Sequence, residues 1–144
     1  MNQVLSNTFK TFISLVILMI KEIVYLTTTK VGEFNLLAIN IIKAKKADRF
    51  AILNKAKLIG IINDCEELEG DVYDKAVCLL KGIIQKHPFA SGNRRTAFIA
   101  CKDFLELNGA EIKISDEPSQ AKTMQGIREN FYDDEDGIKM RLKR

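Results

Sequence analysis

Apolar residues recur at helical spacing along most of the chain. Val31, Phe34, Leu37, Ala38, Ile41 and Ile42 fall at i, i+3 and i+4, which predicts a helix over residues 30–46, with Thr27–Thr29 as N-cap candidates. Ile52, Leu53, Ala56, Ile59 and Ile62 predict a second over 51–63. Val72, Ala76, Leu79, Leu80, Ile83 and Ile84 predict a third over 71–86, with Asp71 in its first turn. Between 95 and 107, Ala97, Phe98, Ile99, Ala100, Cys101, Phe104, Leu105 and Leu107 cover nearly the whole circumference, the mark of a central helix. Asn108-Gly109 ends it, with Gly109 suited to a left-handed cap. Glu111–Ile114 alternates over a short extended stretch. Ser115 or Asp116 then precedes Pro118, the start of a helix reaching about Phe131, and Asp134–Leu142 forms a last short one.

At the other end, Phe12–Ile20 is an apolar run bracketed by Lys10 and Lys21. It is too short for a spanning helix, which needs ~20 residues, and no small-residue cleavage pattern follows. It reads as a helix packed on its own domain or on a partner. The expected architecture is all-α: a single domain of about six helices around one hydrophobic helix.

The length of 144 residues suits one domain. The net charge of +3 is too mild to imply nucleic acid, and no helix rich in Arg, Asn or Gln resembles a recognition helix. The cationic run Lys43, Lys45, Lys46 and Arg49 reads as a solvated helix end, and Asp133–Asp136 as a helix start. Cys65, Cys78 and Cys101 show no metal or redox spacing, sit among apolar neighbours and suit a reducing cytoplasm. His87 is the only histidine, so imidazole chemistry is built on it or does not occur.

The candidate chemistry lies in Lys86-His87-Pro88-Phe89-Ala90-Ser91-Gly92-Asn93-Arg94-Arg95-Thr96. Pro88 ends the preceding helix, and Phe89 is an apolar anchor in a polar loop. Ser91-Gly92-Asn93 suits a turn whose N–H groups converge, and the next helix begins there, aiming its free N–H groups at the same point. Arg94 and Arg95 add forked positive charge suited to phosphate. A phosphate pocket with a proton acceptor at its rim is the apparatus for moving a phosphate-containing group onto a hydroxyl. Separately, a lone His at a helix end is more often a cap, and an Arg pair more often solvated surface.

His87-Pro88-Phe89-x-x-Gly92-Asn93-x-Arg95 resembles the signature of the Fic/Doc family, H-P-F-x-D/E/N-G-N-G/K-R. The flanking helices agree, including Phe104-Leu105-Glu106-Leu107-Asn108-Gly109, and Tyr25-Leu26-Thr27 resembles the opening of Doc-type chains. The resemblance covers residues 23–144 and leaves 1–22 as an N-terminal helical extension. It implies an all-α transferase that modifies hydroxyl side chains (Ser, Thr or Tyr) of target proteins with ATP or another nucleoside triphosphate. It also implies a toxin paired with an antitoxin, cytoplasmic, without nucleic acid or membrane partners. His87 would be the general base. Ser91, Gly92, Asn93, Arg94 and Arg95 would bind phosphate and nucleotide, with Phe89 anchoring the loop.

Two departures point to the short Doc-like branch, which transfers phosphate, rather than to AMP transfer. Ser91 stands at the acidic position that often holds Mg²⁺, so no metal ligand is expected and Mg²⁺ dependence is expected to be weak. Phe98 stands where AMP-transferring members carry a second arginine, and Arg94 where they carry glycine. Cys65-x-x-x-Glu69-Gly70 and Gln125-x-x-x-Glu129-Asn130 match only the end of the family's inhibitory motif. The competing reading is a nucleotide- or phosphate-binding module that has lost turnover through Ser91.

Overall fold

The computed structural model describes residues 2–19, 22–41, 51–114, 117–132 and 134–143. Among these the chain is helical, in the order α1 (Asn2–Met19), α2 (Thr28–Ile41), α3 (Lys55–Glu67), α4 (Val72–Lys86), α5 (Asn93–Leu107), α6 (Glu117–Arg128) and α7 (Glu135–Lys143). The expected run Lys43–Arg49, residue Ile42, the caps Ser115 and Asp116, and Asp133 lie outside the described residues.

Packing centres on two helices joined by the motif loop. α4 and α5 fold back on each other. α4 also meets α3, α6 and α7, while α5 also meets α2 and α6. The face expected for α4 is buried at Ala76, Leu79, Leu80, Ile83 and Ile84, and α5 buries Ala97, Ala100, Cys101, Phe104 and Leu105. Asp71 caps α4 from just outside, in a reciprocal box with Asp74, rather than lying in the first turn. Gly109 is left-handed, φ 74°, as expected for the end of α5.

Three helices differ from the periodicity. In α2 the buried stripe is Val31, Phe34, Asn35, Ala38 and Ile39, whereas Leu37 is 47% exposed. Asn35 occupies an i+4 position of the stripe because it has a buried hydrogen-bonding task, so the polar residue disguised the phase. Thr27 does cap this helix, accepting from the Lys30 N–H at 3.1 Å. α3 starts late. Asn54 is its N-cap, accepting from the Lys57 N–H, and Leu58, Ile61, Ile62 and Cys65 face inward. Ile52 and Leu53 precede the helix, and Ala56 and Ile59 are exposed. α6 stops at Arg128 rather than Phe131. Asn130 turns left-handed at φ 54°, and the Phe131 N–H donates back to Gly126 O at 2.8 Å.

α7 begins after Asp134, which accepts from the Gly137 N–H. The 111–114 stretch forms no strand, but the Lys113 N–H donates to Leu142 O at 2.9 Å. Residues 6–15 of α1 are exposed, with Phe9 and Phe12 above 60%, so this part of α1 is not packed on the domain. Among the described residues no helix is long and apolar enough to cross a membrane.

The cysteines are free. Cys65 and Cys101 are buried, and burial pushes both thiols up to about 12. Cys78 is half-buried and raised for the same reason. Lys75 is almost fully buried. Its ammonium donates to the carbonyls of Cys65 (3.0 Å), Glu66 (3.1 Å) and Leu68 (2.6 Å), closing the C-terminus of α3 as a cation at a negative dipole end does.

Candidate functional site

The loop between α4 and α5 is held by backbone pairing on one side and by its own asparagine on the other. His87, at the end of α4, has φ 48° and ψ 63°, a left-handed conformation uncommon outside glycine. Pro88 lacks an N–H, but its carbonyl accepts from the Leu53 N–H (2.8 Å) and the Asn54 N–H (3.3 Å). The Ala90 N–H donates to Ala51 O at 2.9 Å, and Ile52 faces Phe89 across an antiparallel bridge. The 51–54 segment is therefore extended alongside the loop, because its backbone groups are engaged there instead of in a first turn of α3. Phe89 is 1% exposed, sunk into the core. The Asn93 side chain grips it from the far side, accepting from the Phe89 N–H (3.0 Å) and donating to Phe89 O (2.9 Å).

α5 starts without a side-chain cap. Gly92 is the N-cap at φ 74°, and the first helix amide with a partner is that of Thr96, which donates to Gly92 O. The N–H groups of Asn93, Arg94 and Arg95 have no acceptor among the described residues. No acidic residue lies in the first turn. Arg94 and Arg95 are exposed there, with no ion pair among the described residues. Two guanidinium groups at the positive end of a helix dipole repel it. The arrangement is favourable once an anion sits between them. His87 is exposed at the opposite end of the loop, and its ring has no hydrogen-bond partner among the described residues. A groove of about 430 Å³ beside α3 and α4, bordered by Ile61, Asp64, Cys78, Lys81 and Glu135, includes none of residues 87–95. The unpartnered donors, not the concavity, make the loop the candidate site.

Behind the loop stands α2. Asn35, fully buried, donates from Nδ2 to Ser91 O (2.8 Å) and to Thr96 Oγ1 (3.0 Å), and Thr96 Oγ1 donates on to Gly92 O (2.8 Å). A side chain at Gly92 would place its Cβ 3.4 Å from both Asn35 Nδ2 and Ile39 Cγ1. Sequence reading missed Asn35 and the 51–54 segment as supports of the candidate site, and included Thr96 in the motif stretch without giving it a role. The available signal was an asparagine inside an apolar stripe, a position that a polar residue holds only with a partner.

The Ser91 hydroxyl is buried and has no hydrogen-bond partner among the described residues. It offers neither a carboxylate nor an exposed oxygen to a hard cation, and no group of three His, Cys, Asp or Glu residues placed to hold a metal occurs among the described residues. The loop's donor set does not fit a protein-held Mg²⁺. The side chains present suit phosphate itself.

The Fic/DOC family model matches residues 16–105, a span running from the end of α1 through the motif loop into the last turn of α5. A 41-residue segment is 39% identical to the toxin Doc of Mycolicibacterium smegmatis, covering 28% of this chain and 32% of that relative. The match thus spans about a third of the relative's length. With the motif loop, its two helices and the family match over most of the folded core in agreement, the chain belongs to the Fic/DOC family.

Proposed function

We propose that the protein is a Doc-like transferase that uses ATP or another nucleoside triphosphate to modify a Ser, Thr or Tyr hydroxyl of a target protein, acting as a toxin held in check by an antitoxin. The observation that carries this reading is the uncapped N-terminus of α5, whose first N–H groups and two arginines have no partner among the described residues, a few residues after the only histidine. Phosphate oxygens bind the N–H groups of the loop and the Arg95 fork. The target hydroxyl loses its proton to an imidazole nitrogen of His87 as its oxygen bonds to phosphorus. The bond from phosphorus to the leaving oxygen breaks, and the positive helix end and arginines stabilise the charge that develops.

Phosphoryl transfer is favoured over AMP transfer. Phe98, half-buried on α5, supplies no second arginine, and Arg94 adds bulk and charge where AMP-transferring relatives have glycine. Mg²⁺, where it takes part, arrives on the nucleotide. The free thiols suit a cytoplasmic protein. The buried Ser91 hydroxyl favours one rival reading, a phosphate-binding module without turnover.

The test is incubation with α-labelled and γ-labelled ATP, and with the other nucleoside triphosphates, in a cell lysate. Protein label from the γ position alone supports phosphoryl transfer. Label from the α position moves the reading to nucleotidyl transfer. Absence of label from every nucleotide, with binding retained, supports the binding module.

A further inference from the structure

Asn35 lies on α2, far from the motif in sequence, yet it holds the motif's backbone. Each N–H of its amide is used once, on Ser91 O and on Thr96 Oγ1. Thr96 passes the contact to Gly92 O at 2.8 Å, and the Thr96 N–H reaches the same oxygen at 2.9 Å. Ser91 O is thereby held by α2, while Gly92 O is held within α5 by Thr96, whose hydroxyl Asn35 orients. In a trans peptide the C=O and the following N–H point in opposite directions. Holding Ser91 O on α2 turns the Gly92 N–H away from α2, and holding Gly92 O along α5 turns the Asn93 N–H out from the start of that helix. The Gly92 N–H has no acceptor among the described residues, and the Asn93 N–H is the first of the three free amides of α5. We propose that Asn35, with Thr96 as its relay, is a positioning residue that sets the direction of the Gly92 and Asn93 N–H groups and so prepares the loop for a nucleoside triphosphate's phosphates.

Two further features agree. Asn35 Oδ1 is buried with no partner among the described residues, so only the donor end of this amide is engaged. A Cβ added at Gly92 would lie 3.4 Å from Asn35 Nδ2 and from Ile39 Cγ1, so α2 leaves room behind the loop for little more than a glycine. The inference rests on the phosphate-loop reading above.

The test compares wild type with Asn35→Ala, Asn35→Asp, Thr96→Val and Thr96→Ser, using inorganic pyrophosphate and ATP as probes. Affinity is read by calorimetry, and the Gly92 and Asn93 amide resonances by ¹H–¹⁵N NMR. Asn35→Asp keeps the shape and removes both donors. Thr96→Val keeps the shape and removes the relay, and Thr96→Ser restores it. The expected result is pyrophosphate binding weakened roughly tenfold or more in Asn35→Ala, Asn35→Asp and Thr96→Val, the range for losing hydrogen bonds to a charged group. The Gly92 and Asn93 resonances shift already without ligand, and Thr96→Ser binds like wild type. Should the Asn35 variants fail to fold, the Thr96 pair decides alone. Folded variants that bind as tightly as wild type, or equal losses in Thr96→Val and Thr96→Ser, overturn the proposal while leaving the phosphate site standing. A wild-type protein that binds neither probe removes the phosphate site and the proposal together.

Discussion

Gly92→Ala is a sharp probe of the loop, because the same chemical change elsewhere in the chain has the opposite sign. Gly92 has φ 74° and ψ 15°. An L-residue held in that region is disfavoured by roughly 1–2 kcal/mol. Alanine regains about 0.4–1 kcal/mol by restricting the unfolded chain. The new Cβ sits 3.4 Å from Asn35 Nδ2 and from Ile39 Cγ1, at the edge of ordinary contact, so the backbone conformation sets the cost. The balance is a loss of about 1 kcal/mol, and at ~2.1 cal/mol/K per residue a chain of this length converts that into a fall in Tm of about 3 °C. Gly60 provides the control. It lies within α3 with nothing within 4 Å of an added Cβ. There Ala is the better helix former, and Gly60→Ala raises Tm by about 2–3 °C. The assay is thermal unfolding of both variants followed by circular dichroism. A Gly92→Ala protein as stable as or more stable than wild type would refute the left-handed geometry on which the anion loop depends.

Other perturbations follow from the loop and from the core. Arg95→Lys replaces a fork with a point charge, so calorimetry should show weaker ATP binding, and equal affinities would remove Arg95 from the site. Lys75→Met keeps the apolar stem but leaves three carbonyls at the end of α3 without their cation. Roughly 2–4 kcal/mol of stability should be lost in urea unfolding, and an unchanged midpoint would contradict that role. With Cys65 and Cys101 raised to about 12, the unfolded chain, ionising near ~8.5, releases thiol protons first. Stability should therefore fall as pH rises from about 8.5 toward 12. At pH 8 a thiol reagent should reach Cys78 slowly and the other two only on unfolding, and equal labelling of all three in the native state would contradict their burial.

Much of the fold was legible because α4 and α5 carry dense apolar periodicity, and their ends bear explicit signals in Asp71, Pro88 and Asn108-Gly109. The motif loop was legible as a string of residues with specific chemistry. Its support was not. Asn35 broke the stripe of α2 and pulled the apparent face toward Leu37, because periodicity counts apolar residues and cannot see a polar one whose partner lies 56 positions away. Ile52 and Leu53 look like the start of a helix, yet their segment's backbone is committed to Pro88 and Ala90. Such pairings are non-local, and local propensity does not encode them. At α6, Asn130 ended the helix early through a left-handed turn, a use of asparagine that apolar spacing alone does not reveal.

The central claim is that His87 takes the proton while the start of α5 holds the phosphate. Its most direct test is His87→Ala, assayed side by side with wild type for label transfer from γ-labelled ATP and for ATP binding by calorimetry. General-base catalysis contributes ~10²–10⁴-fold, so transfer should fall by that order while ATP affinity stays near that of wild type. Full transfer by His87→Ala, or loss of ATP binding equal to the loss of transfer, would contradict the division of labour between the histidine and the helix N-terminus.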